Sequence, residues 1–271
     1  MNDSTIQQTL KTLHDSSVAS PMTSICSMHN HASISLLPTT PERAEQLLTE
    51  AYWRVMHDRL AGRTPDSLDS QTRGRIYDVA RWLTGGTNHR WLYLYGRIGC
   101  GKSTMARAIV EALALFIARR NKEISDIAWR MPPEEPERSL YKREIMRQRN
   151  ILDNIPTPLI ISAKESARII TSDTTDAYER LLHHLCLVID DVGTEPVEVR
   201  VYGSVHNPFE ELIESRYNAG KLTIMTSNLA INNHRNDGTS IASRYGERIA
   251  DRFMEECERV VFVGESFRGR E

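Results

Sequence analysis

Gly96-Arg97-Ile98-Gly99-Cys100-Gly101-Lys102-Ser103, preceded by Trp91-Leu92-Tyr93-Leu94-Tyr95, decides the fold. The octet satisfies G-x-x-x-x-G-K-[ST], the spacing of a phosphate-binding P-loop. Its flanks agree. Five aromatic and aliphatic residues suit a buried strand, and the apolar spacing from Met105 to Arg119 suits a helix. Glycines let backbone N–H groups turn inward and approach phosphate oxygens closely, and a helix starting at the loop adds its positive end. Gly96, Arg97, Ile98, Gly99, Cys100, Gly101, Lys102, Ser103 and Thr104 are therefore the candidate nucleotide-binding residues. Lys102 is placed to reach the β- and γ-phosphates and Ser103 to hold Mg²⁺, which makes ATP with Mg²⁺ the expected ligand pair.

Working outward, Leu185-Cys186-Leu187-Val188-Ile189-Asp190-Asp191 is a continuous apolar run ending in two carboxylates. Such a run reads as a strand buried on both faces. In an open α/β sheet, ligands lie beyond the carboxyl ends of the strands. Asp190 is thus placed to support Mg²⁺ beside Ser103, and Asp191 to orient and deprotonate an attacking water. Leu222-Thr223-Ile224-Met225-Thr226 forms a further strand, and Asn228 follows it as a neutral donor and acceptor for the lytic water or the γ-phosphate.

Composition narrows the rest. The chain has 271 residues, 40% of them hydrophobic, enough for one large domain plus an appendage. A net charge of −2 provides no global basic field, so any nucleic-acid contact must be a local patch. The four cysteines, Cys26, Cys100, Cys186 and Cys257, are scattered and form no disulfide framework, which suits a reducing cytoplasm. The N-terminus lacks the apolar core of a signal peptide, and no run is long enough to span a membrane.

Residues 1–40 are rich in Ser, Thr and Pro and read as a flexible tail. Cys26, His29 and His31 lie close together there, but no second Cys/His pair follows at finger spacing. Residues 41–86 read as a helical segment that either packs on the core or docks a partner. Its first helix opens at Thr40-Pro41, carries Ala44, Leu47, Leu48, Ala51 and Val55 on one face, and stops near Gly62. A second runs from about Ser70 to Leu83 and closes at Gly85-Gly86. Residues 87–271 form the catalytic core, with a charged insertion at 122–157. Within it, Pro132, Pro133 and Pro136 break regular structure. Arg138, Lys142, Arg143, Arg147 and Arg149 beyond them are either a solvated face or a basic helix facing single-stranded DNA.

A last helix is expected over about 240–257, with Ile241, Tyr245, Ile249 and Phe253 buried and Arg244, Arg248 and Arg252 on another face. Stacked arginines repel unless an anion answers them. A neighbouring subunit's ATP would do so, with Arg252 as an arginine finger supplied in trans; pairing with Glu247, Asp251 or Glu255 is the alternative. Val260-Val261-Phe262-Val263 reads as the final strand.

The order of these parts resembles the AAA+ branch of the P-loop ATPases, and within it the DnaC/IstB-like family of replicative helicase loaders and transposition helper ATPases. The pieces that carry the resemblance are Gly96–Ser103, Leu187–Gly193, Ser215-Arg216-Tyr217 before Thr226-Ser227-Asn228, Gly246–Phe253 and Gly264–Arg268. It implies a three-layer α/β fold of the ASCE/AAA+ kind, with a five-stranded parallel sheet ordered 5-1-4-3-2; as a departure from larger AAA+ proteins, the sequence stops just after its last strand, so no C-terminal helical lid is expected. The resemblance further implies Lys102, Asp191, Asn228 and Arg252 as the catalytic set, with Arg248 the second match for the arginine finger, Ser103 and Asp190 on Mg²⁺, and Arg268 as a sensor-2-like nucleotide contact. Implied partners are further copies of the chain in a spiral or ring, DNA, and a replicative helicase, or in the IstB-like alternative a transposase. Asp191 stands where a Glu is more usual and is one methylene shorter. Slow turnover, or a scaffold gated by ATP without hydrolysis, follows from that difference.

Overall fold

The computed structural model describes residues 35–59, 67–171, 175–201, 204–232 and 238–264. Among the described residues two helices come first, α1 (Pro41–Arg59) and α2 (Ser70–Leu83). Strand β1 (Trp91–Gly96) feeds the glycine loop and α3 (Lys102–Trp129), which α4 (Glu137–Asp153) follows. Next come β2 (Leu159–Ser162), α5 (Ala163–Thr171), α6 (Thr175–His183) and β3 (Cys186–Val192). A short hairpin, β4 (Val199–Val201) with β5 (Ser204–His206), precedes α7 (Pro208–Asn218) and β6 (Leu222–Ser227). The described chain ends with α8 (Ile241–Tyr245), α9 (Glu247–Glu256) and β7 (Cys257–Phe262).

The main sheet has the order β2-β3-β6-β1-β7, and every pairing in it is parallel. Counting only its five strands along the chain, this is 5-1-4-3-2. Parallel neighbours need crossover helices, which cover both faces, and the alternation of side chains along β1 shows the result. Leu92 and Leu94 point into a cluster with Ala108, Ile109 and Leu113 of α3 and the apolar stripes of α1 and α2. Trp91 and Tyr93 point into a second cluster with Phe209, Leu212, Ile249 and Phe253. The fold is therefore a three-layer α/β sandwich of the P-loop nucleotide-binding class, with its loop at the carboxyl end of the central strands.

The N-terminal helices share the first of these clusters, in which Leu47, Leu48, Ala51, Val79 and Leu83 are buried. Arg75 of α2 reinforces the contact at the sheet's outer edge. Its Nε donates to the Val261 carbonyl (3.2 Å), its Nη2 to the Val263 carbonyl (2.5 Å), and its guanidinium lies 4.6 Å from the Phe262 ring centroid. An edge strand's unpaired carbonyls are thus satisfied rather than left as a template for another chain. Leu36 and Leu37, assigned from composition to the flexible tail, are buried, and both N–H groups donate to the Leu83 carbonyl at 2.8 Å. This apolar pair is long enough to join the core despite its polar surroundings. Cys26, His29 and His31 lie outside the described residues.

Three elements differ from the sequence expectation. Helix α3 continues to Trp129, ten residues past Arg119, and packs against α4 as a helical hairpin that fills most of the charged insertion. The helix expected over 240–257 is broken at Gly246, whose φ of 90° and ψ of 162° separate α8 from α9. The β4–β5 hairpin was not anticipated, because its strands are only three residues each. Among the described residues no helix is long and apolar enough to cross a membrane.

Candidate functional site

The glycine loop is shaped by backbone requirements. Gly96, Gly99 and Gly101 all have positive φ, at 132°, 80° and 93°. A Cβ on Gly96 would stand 2.2 Å from the Phe262 carbonyl oxygen, so only glycine lets the loop leave β1 this close to β7. The Arg97 N–H donates to that same carbonyl at 2.9 Å, and Cys100 Sγ lies 3.4 Å from the Gly264 carbonyl oxygen. Gly101 opens α3 with no side-chain cap, so no capping side chain competes for the first-turn amides that suit an anion. Ile98 is exposed at the loop's tip, and Ser103 and Thr104 are half-buried in the first turn of α3.

Lys102 is buried, and its Nζ donates to the carbonyls of Gly96 (2.9 Å) and Arg97 (2.7 Å) and to Asn228 Oδ1 (2.8 Å). The loop and the residue after β6 are thus joined through one ammonium group. These three acceptors are neutral, and a phosphate oxygen, which carries negative charge, would attract the ammonium more strongly.

The two acidic residues lie at a β-bulge. Ile189 pairs with Met225 but Val192 pairs with Ser227, so β3 fits one extra residue opposite β6. Asp190 and Asp191 share this insertion, and both are held by the buried Thr226. Thr226 Oγ1 donates to Asp190 Oδ1 (2.6 Å) and accepts from the Asp191 N–H (2.9 Å). Asp191 has a left-handed φ of 59°, an uncommon conformation for a residue with a side chain, and its side chain is exposed. Asp190 retains a carboxylate oxygen beyond the one that Thr226 engages. With the Ser103 hydroxyl, it would offer the kind of hard oxygen ligand that Mg²⁺ prefers, the remaining positions suiting water and phosphate. The fit is thus favourable for Mg²⁺, which would neutralise charge on the phosphates.

The arginines separate. Arg252, expected as the finger, is 9% exposed, with Nη1 2.9 Å from Glu214 Oε1 of its own chain and its guanidinium 4.9 Å from the Tyr217 ring centroid. Its partner is thus Glu214 on α7, not the Glu247, Asp251 or Glu255 of its own helix. Arg248 also reaches Glu214 Oε1, at 3.0 Å, but its side chain is 68% exposed. Arg244, beyond the break at Gly246, donates to the Tyr245 hydroxyl (3.2 Å) and to the Glu195 carbonyl. Arg268 lies outside the described residues. Arg216, part of the resemblance, is fully buried; its guanidinium donates to Thr223 Oγ1 and to the carbonyls of Leu181, His184 and Leu222. Burial draws it down to about 10, and its place at the amino ends of β3 and β6 makes it a structural staple.

Three residues at the site were missed in the sequence. Thr226 was read as strand and as part of the resemblance but given no role, although a hydroxyl at a buried strand terminus is itself a signal that a polar partner waits there. Glu195, 1% exposed, accepts from the Gly193 N–H (2.9 Å) and from the Tyr245 hydroxyl. Arg59, at the end of α1, donates to Thr104 Oγ1 at 3.0 Å and brings the N-terminal segment to the first turn of α3. On α4, Arg138, Lys142, Arg143 and Arg149 are exposed, Lys142 lying 3.8 Å from Glu135, while Arg147 pairs with Glu144 at 3.0 Å.

No protein-family model and no curated protein matches the sequence. Solved structures similar to this one include DnaI (18% identity, TM-score 0.44, covering 75% of this chain and 88% of that one). A DnaC helicase loader (20%, 0.40, 78% and 98%) and AMPPCP-bound DnaA from Aquifex aeolicus (15%, 0.42, 72% and 48%) are others. The strand order 5-1-4-3-2, the glycine loop at the end of β1 and the acid-bearing end of β3 identify the fold without these likenesses: it is that of the P-loop nucleoside triphosphatases.

Proposed function

We propose that this protein is an ATPase of the AAA+ class, related to the DnaC-like helicase loaders, that binds ATP with Mg²⁺ and uses its hydrolysis to release a helicase delivered to DNA. The observation that carries this reading is the convergence of Lys102, Asn228, Asp190 and Asp191 at the carboxyl ends of adjacent strands, linked by the Lys102–Asn228 and Thr226–Asp190 hydrogen bonds. In this reading the loop amides and Lys102 hold the β- and γ-phosphates, and Ser103 and Asp190 hold the metal ion. Asp191 takes the proton of the attacking water, and Asn228 orients that water or the γ-phosphate.

Assembly of copies into a spiral or ring would bring an arginine to each neighbour's triphosphate. The exposure of Arg248 supports it as that residue, with Arg252 tethering its helix through Glu214. The exposed cations of α4 support a contact with DNA phosphates. The IstB-like alternative, in which the delivered partner is a transposase, shares every one of these residues.

Phosphate release from Mg²⁺-ATP, measured with and without single-stranded DNA, tests the enzyme. Co-sedimentation with a hexameric replicative helicase or with a transposase tests the partner. ATP binding without phosphate release under any of these conditions would replace the hydrolysis reading with an ATP-gated scaffold.

A further inference from the structure

The turn after β3 is tied to the arginine-bearing helices by a buried carboxylate that the reading above does not use. Glu195 accepts from the Gly193 N–H with Oε2 and from the Tyr245 hydroxyl with Oε1. Arg244 adds a bond to the Glu195 carbonyl and one to the Tyr245 hydroxyl, and its guanidinium lies 5.5 Å from the Tyr245 ring centroid. The same turn fixes Asp191, whose carbonyl accepts from the Thr194 N–H (3.2 Å) and hydroxyl (2.7 Å). At its other end α8 is anchored beyond Asn228: the Ile241 N–H donates to the Ala230 carbonyl (2.8 Å) and the Ala242 N–H to the Ile231 carbonyl (3.0 Å). A short helix held at both ends thus spans the segment after Asn228 and the turn that carries Asp191, and Gly246 then joins it to α9 with Arg248.

We infer that Glu195 is a positioning residue for Asp191, and that the Glu195–Tyr245–Arg244 latch couples the bulge at the end of β3 to helices α8 and α9. A buried carboxylate keeps its place only where donors surround it. Moving α8 takes away the Tyr245 hydroxyl and the Arg244 contacts together, and the turn that carries Asp191 loses its ties to α8 while Asp191 keeps only its local bonds from Thr194 and Thr226. Displacement of α9 by a neighbouring copy would therefore be felt at the water-activating carboxylate. This deepens the ATPase proposal and rests on it for its functional consequence, but not for the latch itself.

The test uses the full chain as wild type, Glu195→Gln, Tyr245→Phe and the double variant, measuring hydrogen exchange of 191–195, nucleotide Kd and steady-state turnover. Each single variant is expected to raise exchange at 191–195 and to leave the Kd for Mg²⁺-ATP within about twofold. It should lower kcat by about ten- to a hundredfold, as a displaced catalytic group does. The double variant should be no slower than the more impaired single one, because both act through one contact. Unchanged exchange in Glu195→Gln overturns the latch, and so does a loss of Kd in step with kcat, which marks a merely structural residue. Wild-type turnover that Glu195→Gln leaves intact overturns the positioning role while sparing the ATPase reading. Raised exchange in a protein whose wild type never hydrolyses ATP keeps the latch and removes hydrolysis. If Tyr245→Phe fails to fold, Arg244→Lys supplies the second arm.

Discussion

Lys102 Nζ donates to Asn228 Oδ1 at 2.8 Å, joining the phosphate loop of β1 to the end of the neighbouring strand β6. The two residues are 126 positions apart in the chain and meet because β1 and β6 run side by side with Tyr95 opposite Ser227. A ligand that draws the ammonium toward a phosphate necessarily changes what Asn228 holds. Under the proposed function, Lys102 and Asn228 would therefore respond to a phosphate together.

Lys102→Ala is accordingly expected to abolish tight ATP binding, since a charge-assisted bond to phosphate is lost together with the group that closes the loop. Asn228→Ala should leave the Kd within a few-fold and lower turnover by about a hundredfold, the scale of losing one oriented polar group. Fluorescent-nucleotide titration and phosphate release separate the two. An unchanged Kd in Lys102→Ala defeats the P-loop assignment.

Gly96 offers a test of the loop's shape without touching its chemistry. Gly96→Ala places a methyl 2.2 Å from the Phe262 carbonyl oxygen at a φ of 132°. Strain and clash together should cost about 3 kcal/mol or more, read as a lowered denaturation midpoint with nucleotide binding lost. A wild-type midpoint would mean that β1 and β7 do not meet as described.

The arginines call for paired measurements. Arg252→Ala leaves Glu214, whose side chain is 26% exposed, without its buried partner. The expected loss is about 2–3 kcal/mol, below that of a fully buried pair because water reaches the carboxylate. Arg248→Ala should leave the midpoint of the isolated chain within about 0.5 kcal/mol, as surface changes do, and remove assembly-dependent phosphate release. The opposite pattern, a stable Arg252→Ala that fails only in assembly, would return the finger role to Arg252.

Arg75 secures α2 on the sheet's edge, so Arg75→Ala exposes the Val261 and Val263 carbonyls. A loss of about 2 kcal/mol is expected from two bonds to a cationic donor, with faster hydrogen exchange in α2. Exchange confined to its wild-type rate would show that the apolar stripe alone holds the helix.

Much of this architecture was legible because each of its signals is local. The glycine spacing of 96–103, the apolar run into Asp190-Asp191 and the Gly85-Gly86 pair that closes the second helix are written in consecutive residues, and elements stand where they imply. What escaped depends on long-range pairing or on one backbone angle. Helix α3 runs past Arg119 because α4 returns alongside it, which no window of sequence contains. The break at Gly246 hides in a helical pattern that continues on both sides. Arg252 finds Glu214 on another helix, 38 residues away by number, whereas periodicity offers only partners on its own helix. Glu195 and Thr226 carry ordinary residue types whose importance lies entirely in what the fold brings to them.

Thr226 gives the sharpest test of that last kind. It is fully buried at the end of β6, and one hydroxyl serves both acids, donating to Asp190 and accepting from the Asp191 N–H. Thr226→Val keeps the shape and removes both bonds, leaving the Asp191 amide without its acceptor. The expected cost is about 1–3 kcal/mol in stability, that of an unsatisfied buried donor. Its functional signature should be specific. Asp190 loses the bond that fixes its orientation, so the Mg²⁺ concentration needed for half-maximal ATP turnover should rise about tenfold or more, the scale seen when a ligand's supporting partner is removed. The Kd for nucleotide without metal should stay as in the wild type, because the loop amides and Lys102 are untouched. A Mg²⁺ requirement identical to wild type would mean that Asp190 does not depend on Thr226, and the bulge would then be a packing feature rather than the support of a metal ligand.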